Sequence, residues 1–160
     1  MELTLSTKDL AMITRHCEAH YPQEGCGILI GRVEEERKVV LDVILTDNAY
    51  REERRHRRYT IPPAQLLQGE LQAEKVGLQV IGYFHSHPDH PARPSVHDFE
   101  LAWPDYSYLI LAVQEGVTAD RRSWQLEPDR SGFAEESITS LHHPSGRKNG
   151  RTPSSVQPSE

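Results

Sequence analysis

Apolar residues recur at helical spacing between Ser6 and His20, where Leu10, Ile13 and Cys17 share one face. Ser6 is placed to cap that helix, Asp9 sits in its first turn, and Pro22 stops it. Cys26 to Gly31 (CGILIG) is then a short unbroken apolar run, which predicts a buried strand. Lys38 to Leu45 (KVVLDVIL) is a β-branched run and predicts its antiparallel partner across the acidic turn Glu34-Glu35-Glu36. Residues 46–55 read as a polar loop and Arg57 to Ile61 as a further strand. Pro62-Pro63 opens a helix to about Val76 with Leu66, Leu67 and Leu71 on its inner side, and Gly77 ends it. Leu78 to His85 (LQVIGYFH) reads as a central strand running into the polar segment His85 to Pro94. Ser95 to Trp103 reads as a short helix stopped by Pro104, Tyr106 to Val113 (YSYLILAV) as an apolar strand, and Ser123 to Leu126 as an edge strand. Helices interleaved with short strands predict an α/β or α+β domain built on one sheet.

Length and composition narrow the class. At 160 residues with 36% hydrophobic content, the chain suits one domain with one core. The expected boundaries are a domain over 1–143 and a disordered tail over 144–160, where apolar periodicity stops. No apolar run approaches the ~20 residues that span a bilayer. MELTLSTKDL has neither a basic n-region nor an apolar h-region, so a cytoplasmic protein with no membrane partner is expected. A net charge of −6 argues against nucleic acid as a partner. Cys17 and Cys26 have no C-x-x-C spacing and read as small buried residues.

Chemistry concentrates in GYFHSHPDHPARPSVHD, residues 82–98. His85 and His87 are two apart on a strand, so their imidazoles share a face about 7 Å apart at the backbone and can converge on one ion. Catalytic zinc commonly takes three protein ligands and keeps a fourth position open. Asp98 is the best nearby carboxylate, brought back if the proline-rich loop reverses the chain. Ser95 and Asp98 also fit an ordinary capped helix start, and the two readings are compatible. Glu24, between the first helix and the first inner strand, can reach the sheet's centre, yet alone it reads as a solvated loop glutamate. Asp89 and His90 read as solvated loop residues and His97 as pointing away from Asp98; His142 and His143 are remote. There is no H-E-x-x-H, no deaminase-type P-C-x-x-C and no phosphate-binding glycine loop. Arg51, Arg54, Arg55, Arg57 and Arg58, interrupted by Glu52 and Glu53, read either as a solvated loop with internal ion pairs or as a docking patch for an acidic protein.

Taken together, Glu24, His85-Ser86-His87, seven residues, Ser95, two residues and Asp98 match E…H-[ST]-H-x7-S-x2-D, and this array resembles the JAMM motif of MPN-domain metallopeptidases. The E-x-x-G-x-L-x-G run from Glu24 to Gly31 and the strand YSYLILAV add to the resemblance, which covers roughly residues 1–130. The resemblance implies a single MPN-like domain with a central mixed, curved sheet flanked by helices. It further implies one zinc ion per chain held by His85, His87 and Asp98, with Glu24 as the base and Ser95 as donor to the oxyanion. Ser86 points to the opposite face and is expected to pack or hydrogen-bond there. The implied activity is hydrolysis after the C-terminal Gly-Gly of a ubiquitin-like or sulfur-carrier protein. Nine residues between Asp98 and Tyr108 leave no room for the insertion of ubiquitin-directed members, so small bacterial members that release cysteine or another adduct are the nearer comparison. A non-catalytic MPN scaffold and a zinc hydrolase of small peptides are the competing classes. The oligomeric state is left open.

Overall fold

The fold follows from how few of these elements can face water. In a computed structural model, which describes residues 1–142, β1 (Glu2–Ser6) leads into α1 (Thr7–His20), then β2 (Cys26–Val33) and β3 (Arg37–Thr46). After a 3₁₀ turn at Glu52–Arg54 come α2 (Pro63–Lys75), β4 (Gln79–Pro88), α3 (Val96–Leu101), β5 (Ser107–Gln114), β6 (Val117–Leu126) and β7 (Phe133–Leu141). The strands form one mixed sheet closed into a barrel in the order β1-β3-β2-β4-β5-β6-β7. Neighbours β1–β3, β1–β7 and β4–β5 are parallel and the other pairs antiparallel. The expected tail, residues 144–160, lies outside the described residues, as does His143. No helix of the described residues is long and apolar enough to cross a membrane.

The apolar run of β2 is buried on both faces, which is why it does not alternate. Leu29 joins Ile13 and Cys17 of α1, with Phe84, Leu109 and Leu111, in one core. Cys26, Ile28 and Ile30 face Ala73 and Leu66 of α2 in the other. Ser6 caps α1 as its sequence predicts, its hydroxyl accepting the Asp9 amide at 3.0 Å.

Four local expectations are corrected. The inner face of α2 is Leu66, Gly69 and Ala73, whereas Leu67 and Leu71 are 60% and 57% exposed. Small residues let the helix lie close to Ile28, which a stripe of leucines would hold off. Arg57–Ile61 is not a strand. Its carbonyls are used by a loop instead: Asn48 Nδ2 donates to Arg58 O and the Ala49 amide to Thr60 O. The last predicted strand is longer, Val117–Leu126, and is no edge, since β5 and β7 flank it. The short helix stops at Leu101, short of Trp103. β1 and β7, which close the barrel, had no counterpart in the sequence reading.

Within β4 the pairs Ile30↔Val80 and Leu29↔Gly82 leave Ile81 as an extra residue, a bulge that shifts the alternation beyond it. From there Phe84 and Ser86 face α1, while Tyr83, His85 and His87 face the other side. Ser86 has the hydrogen-bonding role expected of it: its hydroxyl accepts the Gly25 amide at 2.8 Å and its own amide donates to Gly25 O at 3.0 Å. That pair ties the residue after Glu24 to the residue between the histidines.

Candidate metal centre

The C-terminal half of β4 presents His85 and His87 side by side, with their Nε2 atoms 3.1 Å apart. The loop from Pro88 to Pro94 reverses the chain and returns α3 to them. Asp98 Oδ1 lies 3.2 Å from His85 Nε2, and Asp98 Oδ2 lies 3.1 Å from His87 Nε2. Glu24 arrives from the start of β2, with Oε1 4.0 Å from His87 Nε2. Glu24, His85 and His87 are buried, and one ligating atom from each falls within 4.8 Å of the others. Thus Glu24, His85, His87 and Asp98, from three separate sequence segments, converge.

The helix-start reading of Ser95 and Asp98 holds together with this one. Ser95 caps α3 in a capping box: its hydroxyl accepts the Asp98 amide at 3.0 Å and its amide donates to Asp98 Oδ2 at 2.8 Å. The cap therefore aims the Asp98 carboxylate at the imidazoles. Because the Ser95 oxygen accepts a backbone amide, its own proton is free to be donated into the adjoining cleft.

Could the cluster hold an ion? Ligand atoms around a four-coordinate ion with bonds of about 2.0–2.1 Å stand about 3.3 Å apart. The two Nε2 atoms stand 3.1 Å apart, and each lies close to a different oxygen of Asp98, His85 to Oδ1 at 3.2 Å and His87 to Oδ2 at 3.1 Å. His87 Nδ1 lies 2.8 Å from Pro91 O, a contact that places the proton on Nδ1 and leaves the Nε2 lone pair toward the cluster. The donor set, two imidazoles and one carboxylate, suits a borderline divalent ion. The residues fit.

Electrostatics separate the carboxylates. Burial, the largest influence on Glu24, pushes its carboxyl up to about 8; His87 opposes this and Asp98 adds to it. Burial alone would also raise Asp98, but the two imidazoles beside it hold it far below the ordinary carboxylate range. Burial lowers His85. It would lower His87 too, yet the hydrogen bond and charge of Asp98 raise that ring. One carboxylate is kept ionised at the rings, and the other is poised to carry a proton.

Three supporting features escaped the sequence reading. Tyr59 stacks on His85 with centroids 4.5 Å apart and planes 23° apart. The Pro91 carbonyl orients His87. Asn48 is buried and holds the loop to the site, donating to Glu24 O and Arg58 O, both at 3.0 Å, and accepting the Tyr50 and Thr60 amides. An asparagine in a polar loop carries no local mark of such a role. The residues set aside stay outside the cluster. Asp89 is exposed and accepts from Tyr21 Oη at 2.6 Å, His90 is exposed, and His97 meets Tyr50 edge-on at 6.2 Å. His142 is exposed as well.

A cleft of about 360 Å³ opens beside the cluster, lined by Glu24, His87 and Ser95 together with Arg57, Arg58 and Arg93. The expected internal ion pairs of the arginine run are not found. Among the described residues, none of Arg51, Arg54, Arg55, Arg57 or Arg58 pairs with a carboxylate, Glu52 and Glu53 included.

A closed mixed sheet carries two imidazoles and a capped aspartate, with a buried glutamate alongside, a group of side chains that could hold a metal ion. The chain belongs to the family described as prokaryotic homologs of the JAB domain, which residues 6–127 match. The JAMM/MPN resemblance read from the motif is borne out at this level. The chain is similar to a desampylase of Haloferax volcanii, 32% identical over 99 residues, covering 61% of this chain and 68% of that protein. It is also similar to a probable TtuB-protein conjugate cleaving protease of Thermus thermophilus, 34% identical over 104 residues and 65% of each. The chain thus spans about two thirds of the length of each of these relatives. A solved structure from Desulfitobacterium hafniense superimposes with a TM-score of 0.76 at 30% identity, covering 88% of this chain and 94% of that one. One from Salinibacter ruber gives 0.67 at 36% identity over 88% and 96%.

Proposed function

We propose that this chain is a zinc-dependent hydrolase that cuts the peptide or isopeptide bond following the C-terminal Gly-Gly of a ubiquitin-like or sulfur-carrier protein. The observation that carries the reading is the grouping of His85 and His87, Nε2 atoms 3.1 Å apart, with the two Asp98 carboxylate oxygens 3.1–3.2 Å from them and the buried Glu24 4.0 Å from His87. The names of the two curated relatives support a ubiquitin-like partner.

His85, His87 and Asp98 would hold one zinc ion. Zinc in such a site supplies a water with a pKa near 7 and polarises the scissile carbonyl. Glu24, buried beside the cluster with Oε1 4.0 Å from His87 Nε2, takes the proton of the attacking water and returns it to the leaving amine. Ser95 donates its free hydroxyl proton to the oxygen on which charge develops. Asp98, kept ionised, completes the ligand set while its backbone partner Ser95 fixes its rotamer. A Gly-Gly tail has no side chains, so it can enter a cleft of about 360 Å³ as extended backbone.

The deciding experiment uses Glu24→Gln. Zinc content should be unchanged, whereas turnover of a Gly-Gly-linked fusion should fall roughly 10²–10⁴-fold, the usual contribution of a positioned base. Retained turnover with full zinc occupancy ends the assignment. Cleavage confined to the folded carrier supports the protein substrate, and equal cleavage of a free short peptide supports a small-peptide hydrolase instead.

A further inference from the structure

A second recess, of about 570 Å³, is lined by Ala49, Tyr50, Arg51, Arg54, Arg58 and Thr60. Arg58 is the one residue it shares with the lining of the cleft beside the metal cluster. Its walls are the backbone segments 49–51 and 58–60, and hydrogen bonds fix them in place. Asn48 Oδ1 accepts the Tyr50 amide at 3.0 Å and the Thr60 amide at 3.2 Å, while Asn48 Nδ2 donates to Arg58 O at 3.0 Å. The Ala49 amide donates to Thr60 O at 2.7 Å, which joins the two walls directly. Arg55 Nε donates to Tyr50 O at 2.7 Å and so ties down the stretch that carries Arg54. The recess is thus formed before anything enters it, as small-molecule sites usually are.

The charge of the lining has a single sign. Three guanidinium groups contribute to it and no carboxylate does. Among the described residues Arg51, Arg54 and Arg58 form no ion pair, although Glu52 and Glu53 lie between them in the sequence. The chain as a whole carries a net charge of −6, so this concentration runs against its overall balance. Like charges held on a fixed frame repel one another, and a bound anion relieves that repulsion. Guanidinium forks bind carboxylate and phosphate oxygens in pairs. A carboxylate brings one negative charge to three positive ones, whereas a phosphate ester brings about −1.5 to −2 and three strong acceptor oxygens. The concave shape favours a compact anion over the broad acidic face of a protein, and the volume leaves room for an organic group beside the phosphate.

We propose that Arg51, Arg54 and Arg58, with Tyr50 and Thr60, form a binding site for a phosphorylated small molecule, separate from the metal cluster. The guanidinium groups hold the phosphate, and no bond is made or broken there. The site stands independently of the hydrolase reading, since Arg51 and Arg54 lie outside the cleft.

The test is an NMR titration of the zinc-loaded full chain in 0.15 M sodium chloride with glycerol 3-phosphate, inorganic phosphate, succinate and a polyglutamate peptide. Glycerol 3-phosphate should bind saturably, with the amide shifts concentrated in residues 49–60, and succinate should bind more weakly. In Arg51→Gln/Arg54→Gln its affinity should fall about 10–100-fold, the size of one or two lost charge-assisted hydrogen bonds, while zinc content and thermal unfolding stay unchanged. Should that variant not fold, each single variant should lower the affinity. Arg93→Gln, which alters the cleft and not the recess, should bind as the unaltered chain does. Inorganic phosphate as tight as the ester, with shifts in the same residues, supports the phosphate subsite without a role for the organic group. Shifts centred on residues 85–98, or an affinity that survives in Arg51→Gln/Arg54→Gln, overturn the site and place the anion at the metal cluster. An equal loss in Arg93→Gln overturns it as well, because the anion then reads positive charge in general. Succinate binding as tightly as glycerol 3-phosphate overturns the choice of phosphate, and tighter polyglutamate binding assigns the arginines to an acidic protein instead. No binding at this salt concentration sinks the proposal and leaves the hydrolase reading untouched.

Discussion

His85 and His87 are the same side chain two positions apart, yet their surroundings make them different groups. His87 has its outer nitrogen held by Pro91 O at 2.8 Å. His85 Nδ1 is buried with no hydrogen-bond partner among the described residues, and the face of Tyr59 at 4.5 Å stacks on the ring. The alternation of a strand predicts that the two share a face, but nothing in one sequence names Tyr59 or the Pro91 carbonyl. Glu24 was legible only through the motif, since its burial and its raised proton affinity arise from packing. That burial makes a pH prediction for the metal-free protein. Between the ordinary value of 4.5 and about 8, folded Glu24 keeps a proton that the unfolded chain has released, so this group's contribution to stability falls as pH rises through that window. Asp98 acts in the opposite sense: its depressed pKa contributes stability above the ordinary 3.8, and that is lost as pH falls toward the folded value. Urea midpoints measured in chelator from pH 5 to 8 should decline less steeply for Glu24→Gln than for the unaltered chain. Parallel curves would show that the carboxyl titrates normally.

At the scale of elements, the glycines of the E-G-C-G run matter for contact as much as for the motif. Gly27 lies opposite Phe84 in the β2–β4 ladder, and a Cβ there would stand 2.2 Å from the Phe84 ring and 2.4 Å from Ile44 O. Gly27→Ala should therefore cost about 1–3 kcal/mol or more, as overpacking of a core does, read as a lowered urea midpoint. Gly77 is a different case. It ends α2 at φ +73° with nothing within 4 Å, so its substitution by alanine meets backbone strain alone and should cost about 1–2 kcal/mol. A Gly27→Ala loss no larger than that of Gly77→Ala would mean that β2 and β4 separate easily. The same scale explains the misread inner face of α2. Periodicity marks leucines as buried by type, whereas the close approach to Ile28 selects Gly69 and Ala73 by size.

For the whole molecule the governing feature is closure. β1 pairs in parallel with both β3 and β7, so the first and last strands seal one barrel. Parallel closure joins residues from opposite ends of the chain, Leu3 opposite Ile138, and leaves no local turn signal between them. A chain ending at Gly132 loses β7 and leaves open edges on β1 and β6, which should drive aggregation. A chain ending at His142 retains every pairing described and should remain soluble. Light scattering and a thermal melt compare them; a well-behaved monomer ending at Gly132 would show that closure is dispensable. The closed sheet also gives the interior polar positions that a sequence would assign outward, such as Lys38, which is 1% exposed and donates to Asp105 O at 2.6 Å.

The sequence by itself determined which residues are candidates for the site, the helix starts at Ser6 and Ser95, and the apolar strands β2, β3, β4 and β5. Caps, side-chain alternation and motif spacing are local, and they act through near neighbours along the chain. What tertiary structure alone decided was the convergence of Glu24, His85, His87 and Asp98 to within a few ångströms. It also decided the bulge that aims β4, the loop anchored by Asn48, and the seal between β1 and β7. These depend on contacts between segments tens of residues apart, whose loop-closure entropy is offset only when many form at once, and no window of the sequence contains both partners.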